Sequence, residues 1–172
     1  MLEDLTGCPL TPEVCGIDGC SVPNWAIPPA ALARAFARFV SGTGLTPQRA
    51  ADGGRILQAC TTHPDLVAGP DRFDTLAMQR LPGKVLVKTG AEGVYCGALS
   101  DTGVGFALKI DDGAKRASEA VAALVIGRFH PEVIEVAPDS TLKNWRGLDV
   151  GRVRATQPLG AMLASVSVGP EE

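Results

Sequence analysis

The sequence feature that most constrains the fold is a series of apolar segments and short turns in residues 84–110. It opens with Val85-Leu86-Val87, a β-branched and aliphatic run that is typical of a buried strand. A second apolar run covers residues 94–99, and only a short, glycine-containing connection separates the two. Strands joined by so short a connection pair in antiparallel fashion. Residues 84–110 therefore predict an antiparallel strand pair.

Helical patterns precede and follow this strand pair. Four segments predict helices, which are residues 29–40, 47–62, 72–80 and 114–129, and apolar residues recur at helical spacing in the first and the last of them. Prolines stand at the first turn of the first two segments, where a helix needs no amide hydrogen, and Gly53-Gly54 weakens the middle of the second. The helix that leaves the strands can pack on the face of the sheet. We therefore predict a single α+β domain over residues 1–172, with antiparallel strands packed against helices.

The other segments show weaker patterns. Eight glycine and proline residues in residues 1–30 predict a loop with tight turns and no helix. Residues 133–136 are compatible with a strand, and residues 144–154 have the character of a hairpin. The residues after 154 are expected to be loosely ordered.

Composition argues against several classes of function. The chain has 172 residues and a net charge of −3, and its basic residues are scattered, so we expect no nucleic-acid partner. No apolar run approaches the length of a membrane span, and the first residues lack the pattern of a signal peptide. Five cysteines in a chain with no export signal favour reduced thiols and a cytoplasmic location.

The first candidate site is Lys88-Thr89-Gly90, at the exposed end of the predicted strand. The ammonium can hold an anionic substrate group, the hydroxyl can donate to it, and the glycine lets a substrate lie against the backbone. The same triplet occurs in the signatures of β-lactamases and penicillin-binding proteins. The alternative is a strand-end lysine in water. Glu92, which follows closely, either pairs with Lys88 or fixes the turn.

The second candidate site is Asp18-Gly19-Cys20, on a glycine-rich loop. A thiolate and a carboxylate one residue apart can both point towards a metal ion, and a thiolate is a good zinc ligand. Cys15 is a possible further ligand. A structural zinc site usually needs four ligands, however, and neither a Cys-x-x-Cys pair nor a spaced His pair is present. A buried turn cysteine is therefore the alternative.

Other patterns have simpler explanations than chemistry. Ser140 and Lys143 have the Ser-x-x-Lys spacing of a nucleophile and its base, but they follow the Lys-Thr-Gly strand and lie in poor helix-forming sequence. Asp111-Asp112-Gly113 lacks the further ligands of a calcium loop and predicts a turn that caps the next helix. His63 and His130 each precede a proline and are predicted to mark helix ends.

Six motifs together resemble the rhizobial type of the L-asparaginase II family. They are residues 16–24, 63–69, 72–74, 88–96, 107–113 and 116–117, in the order of the family. Members of that family have a serine β-lactamase-like fold, hydrolyse L-asparagine to aspartate and ammonia through Ser-x-x-Lys chemistry, and hold a zinc ion near the substrate. The resemblance thus implies a partial β-lactamase/transpeptidase-like fold and L-asparagine as substrate.

The resemblance also implies roles for individual residues. Cys20 matches a zinc-binding cysteine and Asp18 the carboxylate beside it, so zinc is the implied cofactor. Lys88 matches the active-site lysine on the strand, and Thr89 replaces a glycine that is usual in the family. Gly90 and Glu92 belong to the same motif and are expected to contact the substrate.

Two family motifs are missing from the sequence, and this leaves the function open. They are Arg-Ser-x-x-Lys-Pro, which carries the nucleophile, and Cys-Ser-Gly-Lys-His, which carries further zinc ligands. The resemblance therefore implies the C-terminal half of a family chain, with an exposed face suited to a homo-oligomer. The first hypothesis is an asparagine amidohydrolase with Thr89 as the local hydroxyl. The alternatives are a non-catalytic half-subunit that needs a partner chain and a serine transpeptidase-like protein.

Overall fold

The structure is a computed structural model that describes residues 1–166. These residues form helices and strands in the order α1 (Leu2–Thr6), β1 (Cys15–Ile17), β2 (Pro23–Trp25), α2 (Pro29–Ser41), α3 (Pro47–Thr62), α4 (Pro64–Ala68), α5 (Phe73–Arg80), β3 (Val85–Thr89), β4 (Val94–Leu99), β5 (Val104–Lys109), α6 (Lys115–Gly127), β6 (Thr141–Lys143), β7 (Asp149–Arg152) and α7 (Gln157–Ser165). Short 3-10 helices cover Pro12–Val14 and Pro131–Val136. The predicted α+β class is confirmed.

A three-stranded antiparallel sheet in the order β3-β4-β5 lies at the centre of the molecule. Two tight turns join its strands, and Val85 pairs with Leu99 while Leu99 pairs with Val104. Two smaller hairpins, β1-β2 and β6-β7, stand apart from this sheet. The central sheet carries the Lys-Thr-Gly triplet at the end of β3, so its packing decides where those side chains lie.

Helices cover both faces of the central sheet. Helix α2 lies against β4 and β5 on one face, and α5 and α6 contact the sheet from the other. On the α2 face, a Cβ built on Gly105 would come within 2.1 Å of the Ala33 carbonyl oxygen, so helix and strand backbones are in direct contact. On the opposite face, the rings of Phe73 and Tyr95 pack with their centroids 6.2 Å apart within the main apolar core. Side chains of successive strand residues therefore alternate between two buried layers.

The four helices expected from the sequence are confirmed, with ends that differ by at most two residues from the predicted ones. Thr46 caps α3, because its hydroxyl accepts a hydrogen bond from the Arg49 N–H at 3.4 Å. The helix runs on through Gly53-Gly54 without interruption. None of the helices in residues 1–166 has the length and apolarity needed to span a bilayer. The predicted hairpin in residues 144–154 is confirmed as β6-β7, which begins at Thr141.

Several predictions from the sequence were wrong. Residues 1–30 were expected to lack a helix, but α1 forms before the first proline, and its buried Thr6 bonds back to the Leu2 carbonyl oxygen at 2.8 Å. The predicted strand pair is a set of three strands, because the turn after Leu99 lets residues 104–109 pair with β4. Residues 133–136 belong to a 3-10 helix that starts at a proline and not to a strand.

The end of the described chain is also more regular than expected. Residues after 154 were predicted to be loosely ordered, yet α7 covers Gln157–Ser165. The Arg128 guanidinium holds it, donating to the Leu163 carbonyl oxygen at 3.0 Å and to the Val166 carbonyl oxygen at 3.1 Å. The part of that prediction that concerns residues 167–172 lies outside the described residues.

The contact between α2 and β5 gives a first prediction. We expect Gly105→Ala to lower the free energy of unfolding by about 3 kcal/mol, because the new methyl group has to push the α2 backbone away. Gly54→Ala is the control, since a Cβ there meets nothing within 4 Å. It should raise the free energy of unfolding by about 1 kcal/mol through helix propensity. Urea unfolding measures both, and an unchanged midpoint for Gly105→Ala would contradict the described packing.

Candidate functional site

The end of β3 places Lys88 and Thr89 on opposite faces of the central sheet. Lys88 pairs with Cys96 and therefore lies on the α2 face, whereas Thr89 pairs with Tyr95 on the face that packs against α5 and α6. The structure thus keeps the two proposed catalytic residues adjacent in the chain but separates their side chains. A direct proton transfer between the Lys88 ammonium and the Thr89 hydroxyl does not fit this arrangement.

Lys88 is exposed, and its side chain has an apolar and a polar environment. Its aliphatic part borders an apolar cavity of about 290 Å³ between α1, α2, α3 and β3, which includes Leu32, Phe36 and Cys60. Its ammonium donates to the Thr89 carbonyl oxygen at 2.9 Å. Within residues 1–166 no carboxylate forms an ion pair with Lys88, so its charge is available to an anionic group of a substrate.

Gly90 and Glu92 belong to the turn that joins β3 to β4. The Gly90 N–H donates to the Val94 carbonyl oxygen at 2.8 Å, which closes the turn. Glu92 has a left-handed backbone, with φ of 53°, and the following Gly93 has φ of 72°. Of the two alternatives for Glu92, the structure shows the turn position, because no ion pair with Lys88 occurs in the described residues. Both Gly90 and Glu92 are exposed at the end of the sheet that carries Lys88.

A buried carboxylate holds the backbone of Thr89. The Thr89 N–H donates to Asp74 Oδ1 at 2.6 Å, and Asp74 is completely buried in the first turn of α5. The helix start stabilises this negative charge through its free N–H groups. A carboxylate that accepts from a backbone N–H makes a charge-assisted bond, which is stronger than a bond between neutral groups.

Among residues 1–166, three buried polar atoms in this region have no hydrogen-bond partner. They are Arg72 Nε, Asp74 Oδ2 and the Tyr95 hydroxyl oxygen. Burial raises the pKa of Tyr95, and the charge of the Asp74 carboxylate raises it further, although the two groups do not meet in a hydrogen bond of normal geometry. Unsatisfied buried polar groups are uncommon in folded proteins and often mark a functional region.

Sequence reasoning assigned no role to Asp74 or Tyr95. A signal for Asp74 was nevertheless present, since it shares the i, i+3, i+4, i+7 spacing of Ala77, Met78 and Leu81, all of which are buried. An ionisable residue at such a position is buried in the folded chain and needs a partner. The partner itself, a backbone N–H on β3, is visible only in the structure.

Asp18 and Cys20 lie in the turn between β1 and β2, and both are exposed. Asp18 Oδ1 accepts from the Gly19 N–H at 2.6 Å, so part of this carboxylate is engaged in the turn. Within residues 1–166 no three His, Cys, Asp or Glu side chains come together as metal ligands. The described residues therefore do not by themselves fit a complete zinc site. Nor does any hydrogen bond or ion pair among them join this turn to Lys88 or Thr89.

The remaining sequence patterns take structural positions. Ser140 precedes β6, which contains Lys143, so the Ser-x-x-Lys spacing lies in a strand and not in a helix. Asp112 Oδ1 accepts from the Ala114 N–H at 2.8 Å, which confirms the turn before α6. His130 precedes the second 3-10 helix and lies 3.2 Å from Asp101 Oδ2, on the side of the sheet turn between β4 and β5.

A comparison with known protein families covers all of the candidate positions described above. The sequence model of the L-asparaginase II family matches residues 1–155. The chain belongs to this family. No match was found among curated proteins. The matched range of the L-asparaginase II model includes the β1-β2 turn, Asp74 and the whole Lys88–Glu92 segment, and it leaves out residues 156–172.

The residue paired with Lys88 gives a second prediction. Burial raises the pKa of Cys96 to about 11 from the usual value of 9.0, so the folded chain keeps this thiol protonated. The pKa of Cys96 is therefore higher in the folded chain than in the unfolded chain. This difference contributes its full stabilisation below about pH 9, and the stabilisation is lost as the pH rises through about 11. We expect the free energy of unfolding to fall over this range by an amount on the order of 2 kcal/mol.

Urea unfolding at a series of alkaline pH values checks this expectation. Cys96→Ala should remove the part of the decline that begins near pH 9, whereas the part that the raised pKa of Tyr95 contributes above about pH 10 should remain. Cys20→Ala is the matched control, since Cys20 is exposed and its removal should leave the slope as it is. Equal slopes in all three proteins would show that the Cys96 thiol does not titrate differently on unfolding.

Proposed function

We propose that this chain is an L-asparagine amidohydrolase, which converts L-asparagine and water to L-aspartate and ammonia. The observation that carries the proposal is the match of the L-asparaginase II family to residues 1–155. The free charge of Lys88 at the exposed end of β3 supports it, because the substrate carries a carboxylate that needs a cation. The exposed location of Gly90 and Glu92 beside Lys88 also suits a small, polar substrate.

The reaction we propose is acyl transfer. A hydroxyl oxygen attacks the side-chain amide carbon of asparagine, ammonia leaves, and water then releases aspartate from the acyl intermediate. Lys88 holds the substrate carboxylate, Gly90 lets the substrate approach the backbone, and Glu92 borders the site from the turn. Thr89 is the nearest hydroxyl in the chain, but it lies on the other face of the sheet from the Lys88 side chain. Lys88 therefore acts as a binding cation and not as the base for Thr89.

The placement of these residues favours one alternative function, a half-subunit that needs a second chain. Lys88 and Thr89 diverge, and Asp18 and Cys20 supply only two of the ligands that a zinc site requires. Both features are accounted for if another chain brings the nucleophile and the remaining ligands. Zinc binding at Cys20 stays a prediction, and no step of the proposed reaction passes through a metal ion. A homo-oligomer is the simplest form of this alternative.

The test of the proposed activity is ammonia release from L-asparagine by the purified chain, with and without added zinc. Lys88→Ala should lower kcat/KM by about 100-fold, because the substrate carboxylate loses its cation. Lys84→Ala is the matched control, as Lys84 is an exposed lysine that precedes β3 at its other end, and it should keep the activity of the parent chain. Thr89→Val tests the hydroxyl. No ammonia from folded protein under either condition would refute autonomous activity.

The half-subunit alternative predicts a different dependence on concentration. If two copies build the site, specific activity should rise with chain concentration in parallel with the dimer fraction seen by sedimentation velocity. Activity that is constant across the range in which the dimer forms would argue for a site complete in one chain. A chain that stays monomeric and inactive at every concentration would exclude the homo-oligomeric form of this alternative.

A further inference from the structure

Strand β3 is at one edge of the central sheet, and its hydrogen-bonding pattern leaves the backbone of Thr89 free of β4. The Ser100 N–H donates to the Lys84 carbonyl oxygen, and the Gly90 N–H donates to the Val94 carbonyl oxygen, both at 2.8 Å. In an antiparallel pair only alternate residues exchange such bonds with the partner strand. Thr89 is one of the residues in between. Its N–H and C=O groups therefore point to the open edge of the sheet.

Both of these edge-facing groups of Thr89 have a charged partner. The Asp74 carboxylate accepts from its N–H at 2.6 Å, and the Lys88 ammonium donates to its carbonyl oxygen at 2.9 Å. One residue of the strand is thus held by a carboxylate at its N–H and by an ammonium at its carbonyl oxygen. The ammonium is the same group that the proposed function assigns to the substrate, so the backbone at Thr89 sets the direction of the Lys88 side chain.

The cost of burying Asp74 shows that its contact with Thr89 is not incidental. A buried carboxylate is expensive unless hydrogen bonds stabilise its charge. The bond from the Thr89 N–H is the one that the Asp74 side chain makes within residues 1–166, and its second oxygen has no partner. An apolar residue would fill this space in the core at a lower cost, but it would leave the Thr89 N–H without an acceptor. The geometry therefore indicates that an acceptor is kept at position 74 for its effect on Thr89.

We propose that Asp74 is a positioning residue that fixes the Lys88-Thr89-Gly90 strand end through the backbone N–H of Thr89. Without the carboxylate, the Thr89 N–H has no partner, the last residue of β3 detaches from α5, and the Lys88 ammonium loses a carbonyl oxygen in a fixed position. The consequence for asparagine hydrolysis rests on the proposed function. The contact between Asp74 and Thr89 does not, and it can be tested separately.

The test compares Asp74→Ala, Asp74→Asn and Thr75→Val in the full chain. Asp74→Ala removes the acceptor, whereas Asp74→Asn keeps a side-chain oxygen that accepts from Thr89 but removes the charge. Thr75→Val is the matched control, because Thr75 is the buried neighbour of Asp74 and its hydroxyl donates instead to the Pro64 and Gly69 carbonyl oxygens. It loses polar contacts of the same helix without touching Thr89.

The first readout is amide hydrogen exchange followed residue by residue by NMR. In Asp74→Ala the Thr89 amide should exchange about tenfold faster relative to the Lys88 amide, which bonds to β4. Asp74→Asn should restore most of the protection, and Thr75→Val should leave the ratio unchanged. If Asp74→Ala fails to fold, the chemical shifts of Asp74→Asn provide the test. The Thr89 amide proton should shift upfield because its acceptor is no longer charged, and the chemical shift of the Lys88 amide proton should stay unchanged. An unchanged Thr89 amide, or an equal effect of Thr75→Val, would overturn the proposal.

The second readout is ammonia release from L-asparagine. In an active parent chain, kcat/KM should fall by about tenfold in Asp74→Ala and recover in part in Asp74→Asn, while Thr75→Val stays close to the parent value. Full activity in Asp74→Ala with a loosened Thr89 amide would overturn the positioning role. An inactive parent chain refutes the proposed function alone, and the exchange ratio of Thr89 then decides whether Asp74 holds the strand end.

Discussion

The structure depends on the burial of both faces of a sheet that has only three strands. A sheet of this size has no stable core of its own, so it needs a helix layer on each side. On one side the layer is α2, whose backbone touches β5 because Gly105 has no side chain. On the other side α5 and α6 enclose Phe73, Tyr95 and the rest of the apolar core.

The same two-sided burial determines what the end of β3 can offer. Side chains alternate between the two faces of the sheet along β3, so the Lys88 side chain lies on the side of α1, α2 and α3 and the Thr89 side chain on the side of α5. Membership of the L-asparaginase II family directs attention to this strand, but the sheet divides its polar residues between two environments. One is open to solvent and carries a free cation. The other is closed, and there the second oxygen of the Asp74 carboxylate, the Tyr95 hydroxyl and a guanidinium nitrogen have no hydrogen-bond partner within the described residues.

The sequence was sufficient to predict the parts of the fold that repeat over several turns. Helices α2 and α6 each present an apolar stripe long enough to be recognised, and prolines and turn residues mark the limits of α3 and α5. The five-residue helices α1 and α4 are too short for periodicity to be visible, and α7 was missed because its sequence resembles an ordinary chain end. Residues 133–136 have strand-like composition, but they follow His130-Pro131 and form part of a 3-10 helix with the proline in its first turn.

For the candidate site, the sequence could predict residues that are adjacent in the chain but not contacts between distant segments. Lys88, Thr89, Gly90 and Glu92 were found because they are adjacent in the chain, and the strand keeps them at one end of the sheet. Asp74 lies 15 residues away from Thr89 in sequence, and it accepts a hydrogen bond from the backbone N–H of that residue. Any residue except proline has such an N–H, so the residue type at position 89 gives no sign of the contact. The separation of Lys88 from Thr89 follows from strand alternation alone and was foreseeable. The isolation of Asp18 and Cys20 on their own hairpin was not, because it depends on tertiary packing.

The position of β3 at the sheet margin has a consequence for solubility. A margin strand with a sequence such as Val85-Leu86-Val87 is a template onto which another chain can add, and natural proteins block such templates with lysines and with inward-pointing charges. Val85 and Val87 are completely buried, however, so the helices that contact β3 cover this edge, and the exposed lysines Lys84 and Lys88 flank it. The helix layers that build the core thus also remove the free strand edge with which another chain could pair.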